Sequence, residues 1–178
     1  MPRLPVVDPA TATGPVKEIF DGPLKGMHIN LFKGMANSPT GLKAYLGLAE
    51  ALAAGSLSDK EKETIALVIG EANSCDYCVA AHTMLGKKAG LTEDQTVAAR
   101  KGELSDDAKL AELVNFTRAI VEKKGFVDEA DVDAFKSVGY SDANIVEVVV
   151  TFTLNTYTNY FNHLNATEVD FPAVPALA

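Results

Sequence analysis

Apolar positions recur at helical spacing along most of this chain, and the runs are cut where helices are expected to start and stop. Leu110, Leu113, Val114, Thr117, Ala119, Ile120 and Val121 follow a 3.6-residue period, with Lys123 and Lys124 behind them to suit the negative end of a helix dipole. Ser58-Asp-Lys-Glu61 has capping-box spacing ahead of the apolar run Ile65, Leu67, Val68, Ile69, and Thr92-Glu-Asp-Gln95 repeats it. Gly55, Gly90, Gly125 and Gly139 each follow a helix-like stretch, where a left-handed residue closes the last turn. The pattern predicts helices at 39–54, 59–72, 75–89, 93–101, 106–124, 129–138 and 142–162, joined by short loops. Val148-Val-Val-Thr-Phe-Thr153 is β-prone, but its length and the cap at Ser141-Asp142 favour a long buried helix. The expected class is all-α, a single helical domain over residues 1–178.

The two ends break the pattern. Residues 1–14, with Pro2, Pro5 and Pro9, and the tail from Asp170 to Ala178 read as extended arms. Such arms either lie across a neighbouring subunit or stay disordered.

Composition narrows the chemistry. A chain of 178 residues can bury a sizeable core without disulfide or metal staples, so its two cysteines are not needed as scaffolding. So few cysteines, and an N-terminus without the apolar core of a signal peptide, point to a cytoplasmic, reducing setting. The longest apolar stretch, from Ile145 to Leu154, is interrupted by Glu147, so no membrane span is expected. A net charge of −8 and a pI near 4.8 argue against nucleic acid or an anionic membrane surface as partner. A small neutral substrate suits both.

The chemistry-bearing segment is Cys75-Asp-Tyr-Cys78-Val-Ala-Ala-His82. On a helix, both sulfurs and the imidazole fall within an arc of about 60°, on one face. A cap at Asn73 or Ser74 would put the cysteines in the first turn, where the helix dipole favours thiolate; Asp76 opposes that effect and His82 aids it. His82, one turn after Cys78, makes Cys78 the better-placed attacking sulfur and Cys75 its resolving partner. His82 needs a group to fix its tautomer, and Glu63 and Glu71 on the preceding helix are the candidates. By composition alone Lys60-Glu-Lys-Glu63 reads as a solvated charged turn. His28, in Lys25-Gly-Met-His-Ile-Asn-Leu-Phe32, could roof the thiol pocket with Met27 and Phe32, and His163 could approach the motif from the last long helix; both also read as ordinary surface or core histidines.

Three functions fit these residues: a thiol peroxidase, a non-catalytic redox sensor or disulfide-forming protein, and a zinc site. In the last, Glu63, His28 or His163 would complete a Cys75, Cys78, His82 ligand set, although a single C-x-x-C lacks the second paired cluster of ordinary zinc modules. No cofactor or metal is otherwise called for.

The pattern Glu63, then Cys75-x-Tyr-Cys78-x-x-x-His82, resembles the alkylhydroperoxidase D-like and carboxymuconolactone decarboxylase superfamily. The likeness centres on residues 58–92 and extends loosely through Gly139-Tyr-Ser-Asp142 and the Asn-rich stretch Asn155 to His163 to Asp170-Phe-Pro. It implies an all-helical fold, assembly into dimers, trimers or hexamers, and, in the branch with both cysteines, reduction of hydroperoxides by a dithiol reductant of thioredoxin-like or lipoyl type. It also implies roles: Cys78 as attacking thiol, Cys75 as resolving thiol, Glu63 and His82 as proton relay. The alkylhydroperoxidase proper has a second relay histidine immediately before its second cysteine, and this chain has Tyr77 there. A phenol with pKa near 10 donates a hydrogen bond but does not readily shuttle protons at neutral pH, so Tyr77 is expected to shorten the relay or to line the pocket.

Overall fold

The computed structural model describes residues 1–174 and Leu177; Pro175, Ala176 and Ala178, part of the expected C-terminal arm, lie outside the described residues. Among the described residues there are nine helices and no strand: α1 Gly14–Asp21, α2 Asn30–Met35, α3 Pro39–Ala53, α4 Asp59–Ala72, α5 Asp76–Lys88, α6 Glu93–Lys101, α7 Ala108–Glu122, α8 Glu129–Ser137 and α9 Asp142–Asn165. The all-α class and the later helices follow the sequence pattern to within a few residues. Both expected capping boxes form, Ser58 with Glu61 and Thr92 with Gln95, and a third forms at Ser141 with Asn144.

The helices α1 and α2 were not legible in the pattern. The first is eight residues beginning Gly14-Pro15 and the second only six, too short for an apolar period to repeat. Gly90, Gly125 and Gly139 have positive φ, as their helix-closing role requires, whereas Gly55 does not; a side chain there would meet the Glu147 carboxylate at about 3.1 Å.

Helix α4 is the axis of the molecule. Its residues Thr64 to Gly70 are buried consecutively, around the whole helix, because α5, α6, α7 and α9 all pack against it. Two apolar clusters result. One joins α4, α7, α8 and α9, with the rings of Phe116, Phe135 and Tyr140 stacked at centroid spacings of 4.3 and 4.2 Å. The other is built by the N-terminal third, from Phe20, Leu24, Leu31, Phe32, Met35 and Leu42, and it encloses Cys75, Tyr77 and Cys78.

The described parts of both arms are hydrogen-bonded to the chain's own fold. The N–H of Arg3 donates to the Asn165 carbonyl at 2.7 Å, and that of Val7 to the Lys33 carbonyl at 3.2 Å. In the tail, Asp170 Oδ2 accepts from the Asn30 N–H at 2.7 Å, and the Glu168 carbonyl accepts from Asn30 Nδ2 at 3.1 Å.

Phe135 is fully buried between two rings and has no room to be replaced by solvent. Phe135→Ala is expected to cost about 3–5 kcal/mol, seen as a lower urea midpoint at unchanged slope.

Candidate active site

The turn between α4 and α5 sets the site. Ser74 takes a left-handed conformation, φ 54°, and the N–H of Cys75 returns to the Gly70 carbonyl at 2.8 Å, so α4 is closed within three residues. Neither Asn73 nor Ser74 caps α5, contrary to the sequence expectation. Asn73 donates instead to Asn159 Oδ1 at 2.9 Å, and Cys75 is itself the N-cap, its Sγ accepting from the Cys78 N–H at 3.4 Å. Cys78 is the third residue of α5. The two cysteines are bonded to each other, with Cα atoms 5.3 Å apart.

The helices α4 and α5 then run back antiparallel at close range. A Cβ on Gly70 would lie 3.3 Å from Val79 Cγ2 and 3.6 Å from Cys78 Cβ, and one on Gly86 would meet Leu91 Cδ1 at 2.8 Å and Glu63 Cβ at 3.6 Å. This close approach brings Glu63 to His82: Oε2 lies 2.7 Å from Nδ1. A carboxylate there holds the proton on Nδ1, which leaves the Nε2 lone pair as the ring's base. Glu71, the other candidate, points elsewhere, accepting from Arg100 Nε at 2.7 Å.

The two sulfurs face different spaces, although each cysteine is only 1–3% exposed. Cys78 opens, with His82 and Glu63, on a cavity of about 250 Å³ whose walls are otherwise mainly apolar, among them Leu31, Tyr45, Leu85 and Phe171. Cys75 lines a separate groove with Ser74, Asp76 and Arg100, bordered by Val169, Phe171 and Val174 of the tail.

Tyr77 lines the cavity, and its hydroxyl is already committed. It donates to Asp170 Oδ1 at 2.7 Å and accepts from the Leu31 N–H at 3.2 Å, while the ring meets Phe171 edge-on at 5.4 Å. Burial above all, with the Asp170 carboxylate adding to it, pushes the phenol far above the usual tyrosine range. It stays protonated and ties the tail to the cavity wall.

His28 and His163 do not join this cavity. His28 packs edge-on against Phe20, 5.7 Å between centroids, in a surface groove with Lys17, Lys25 and Lys33. Of its segment, Ile29 and Leu31 reach the cavity, whereas Met27 is exposed and Phe32 packs on Tyr45. His163 is exposed on the outer, Cys75 side. The histidines are thus dispersed, and no group of three or more metal-ligating side chains forms among the described residues. One residue of the Asn-rich stretch that the sequence did not mark as a site residue touches the thiol pair: Asn162 Nδ2 donates to Cys78 Sγ at 3.3 Å. Its signal was the spacing of Asn155, Asn159 and Asn162, three amides on one face of α9.

Residues 39–122 match the carboxymuconolactone decarboxylase family model. Comparison with curated proteins found no match. Among solved structures, the chain is similar to an alkylhydroperoxidase AhpD core, a peroxidase-related protein from Ralstonia eutropha JMP134, at 23% identity over 95% of this chain and 92% of the other, with TM-score 0.81. The chain shares the fold of this alkylhydroperoxidase core, and its residues 39–122 resemble the carboxymuconolactone decarboxylase family. A peroxidase-related protein from Silicibacter sp. TM1040 is similar at 22% identity over 93% and 89% of the two chains, TM-score 0.79. The debrominase Bmp8, solved with 2,3,4-tribromopyrrole, shares the fold at 17% identity over 87% and 85%, TM-score 0.71. The family match runs from α3 to α7, the α4–α5 pair included, and ends before α9 and the tail.

Tyr77→Phe removes one hydroxyl from the tail's anchor while leaving the ring contact. It is expected to destabilise by about 1–3 kcal/mol and to raise amide hydrogen exchange over residues 168–174 with α9 unchanged, read by mass spectrometry.

Proposed function

We propose that the protein is a thiol peroxidase that reduces small, apolar hydroperoxides at Cys78. The observation carrying this reading is that Cys78, bonded to Cys75, opens on the same cavity as an imidazole held by Glu63. Nucleophile, base and orienter are therefore all present.

The cycle balances with one dithiol consumed per peroxide. His82 takes the proton of the reduced Cys78 thiol. The thiolate attacks one peroxide oxygen, the S–O bond forms as the O–O bond breaks, and the departing alkoxide receives the proton held by His82. The Cys75 thiol then displaces hydroxide from the Cys78 sulfenic acid, giving the disulfide and water. An external dithiol, of thioredoxin-like or lipoyl type, supplies two electrons and two protons and leaves as its own disulfide.

Cavity size supports a small substrate. At about 250 Å³ the space lies below the roughly 300 Å³ at which pockets for drug-sized ligands begin. The charged side chains and the imidazole, Asp59, Lys62, Glu63 and His82, come from α4 and α5, the hydroxyls and amides of Thr151, Asn155, Thr158 and Asn162 come from α9, and much of the remaining lining would accept an alkyl or aryl group.

A coupled assay over a panel of hydroperoxides and dithiol reductants tests the reading. Cys78→Ser should abolish turnover, Cys75→Ser should leave a sulfenic acid that can be trapped at Cys78, and Glu63→Gln should lower kcat by about 10²-fold. Unchanged turnover in Cys78→Ser would overturn the assignment, as would turnover of a haloaromatic compound with none of any hydroperoxide.

A further inference from the structure

The helix start that should favour a Cys78 thiolate is turned toward the other sulfur. The Cys78 N–H, the amide best placed to stabilise negative charge at this end of α5, donates to Cys75 Sγ. Cys78 Sγ receives its recorded hydrogen bond from a side chain instead, Asn162 Nδ2, reaching across from α9, 84 residues away in sequence.

The amide's orientation is set by chemistry. A disulfide sulfur has no proton to give, so only the NH₂ end of the amide can bond to it. The other end has no protein partner: Oδ1 of Asn162 is buried without a hydrogen bond, and the residue is 4% exposed. Leaving a buried carbonyl unpaired costs about 1–3 kcal/mol, which an apolar residue of similar size would avoid. Asn162 also lines the Cys78 cavity, where the bound O–H of a substrate is the kind of donor that oxygen lacks.

We infer that Asn162 is a catalytic residue that stabilises the Cys78 thiolate through its side-chain N–H. The role deepens the peroxidase reading and rests on it for its place in turnover. The same donor acts twice in that cycle. It holds the thiolate that attacks the peroxide, and it holds the thiolate that departs when a reductant thiolate attacks Cys75 Sγ, forming a mixed disulfide as the Cys75–Cys78 bond breaks. A hydrogen bond to a full negative charge is stronger than one to a neutral disulfide sulfur, so the contact strengthens as the charge appears.

The test needs no peroxide. In a Cys75→Ser background Cys78 is the chain's single thiol, and its alkylation by iodoacetamide can be followed against pH. Asn162→Leu should move the half-maximal pH of alkylation up by about one unit, equivalent to tenfold in thiolate at neutral pH, and Asn162→Asp, which adds a negative charge, should move it further. With both cysteines present, Asn162→Leu should shift the dithiol–disulfide equilibrium about tenfold toward the disulfide, about 30 mV more reducing. Asn165→Ala is the structural control, because Asn165 is a buried amide on the same helix that bonds to Leu4 and Thr167 and does not line the cavity. Its alkylation profile should match that of the parent. Superimposable profiles for the parent and either Asn162 variant would overturn the proposal, as would an equal shift in Asn165→Ala. If Asn162→Leu fails to fold by circular dichroism, the isosteric Asn162→Asp carries the decision. Failure of the peroxidase assay with a shifted alkylation profile would sink the proposed substrate and leave Asn162's role standing.

Discussion

The site depends on how closely α4 and α5 approach. Gly70 faces Cys78 and Val79, Gly86 faces Glu63 and Leu91, and a side chain at either glycine would press on its neighbour. At this range a carboxylate near the start of α4 reaches an imidazole in the middle of α5 directly, with no water or long side chain to bridge them. The two helices are joined by a three-residue turn that puts a serine in the left-handed region, a strain of order 1–2 kcal/mol. Burial of α4 on all sides by four other helices holds the arrangement against that cost.

Which parts could be read from the sequence follows from how local their causes are. Capping boxes at Ser58 and Thr92 are three-residue signals, and both formed where expected. The α1 and α2 helices have no such signal, since their formation depends on burying Phe20, Leu31 and Phe32 against α3 and the thiol-bearing turn. Glu63 shows the same limit in the site. Its local surroundings are lysine and glutamate, which suggest solvent, and only the family pattern singled it out; its position opposite His82 is a property of the helix pair, not of its neighbours in sequence. The cap of α5 differs from the sequence expectation for a related reason. Asn73 is a better capping residue than cysteine by propensity, but a distant partner, Asn159, takes its side chain.

Asn162 and the tail residues Asp170 and Phe171 mark the boundary of motif-based reading. All three lie beyond the matched family region, and all three line the cavity or hold its wall. Tyr77 is the link between the two parts. Standing where the alkylhydroperoxidase pattern has a histidine, it serves as an anchor: its phenol is held neutral by burial and is bonded to the tail on one side and α2 on the other. In the proposed cycle the relay is then Glu63 and His82 alone, and Tyr77 gives the cavity a wall made by residues distant in sequence.

Separation of the two sulfurs onto different spaces has a chemical consequence for the proposed cycle. A peroxide small enough for the cavity meets Cys78, the sulfur beside the base, whereas a protein reductant is too large to enter about 250 Å³. Forming the disulfide moves the oxidising equivalent from the enclosed sulfur to Cys75, whose groove lies on the other side and is bordered by the tail. Attack there makes Cys78 the leaving group, returning it as a thiolate already facing the cavity and already bonded to Asn162. The order of events, oxidant from one side and reductant from the other, then follows from the three-residue spacing that caps a helix with one cysteine and places the second inside its first turn.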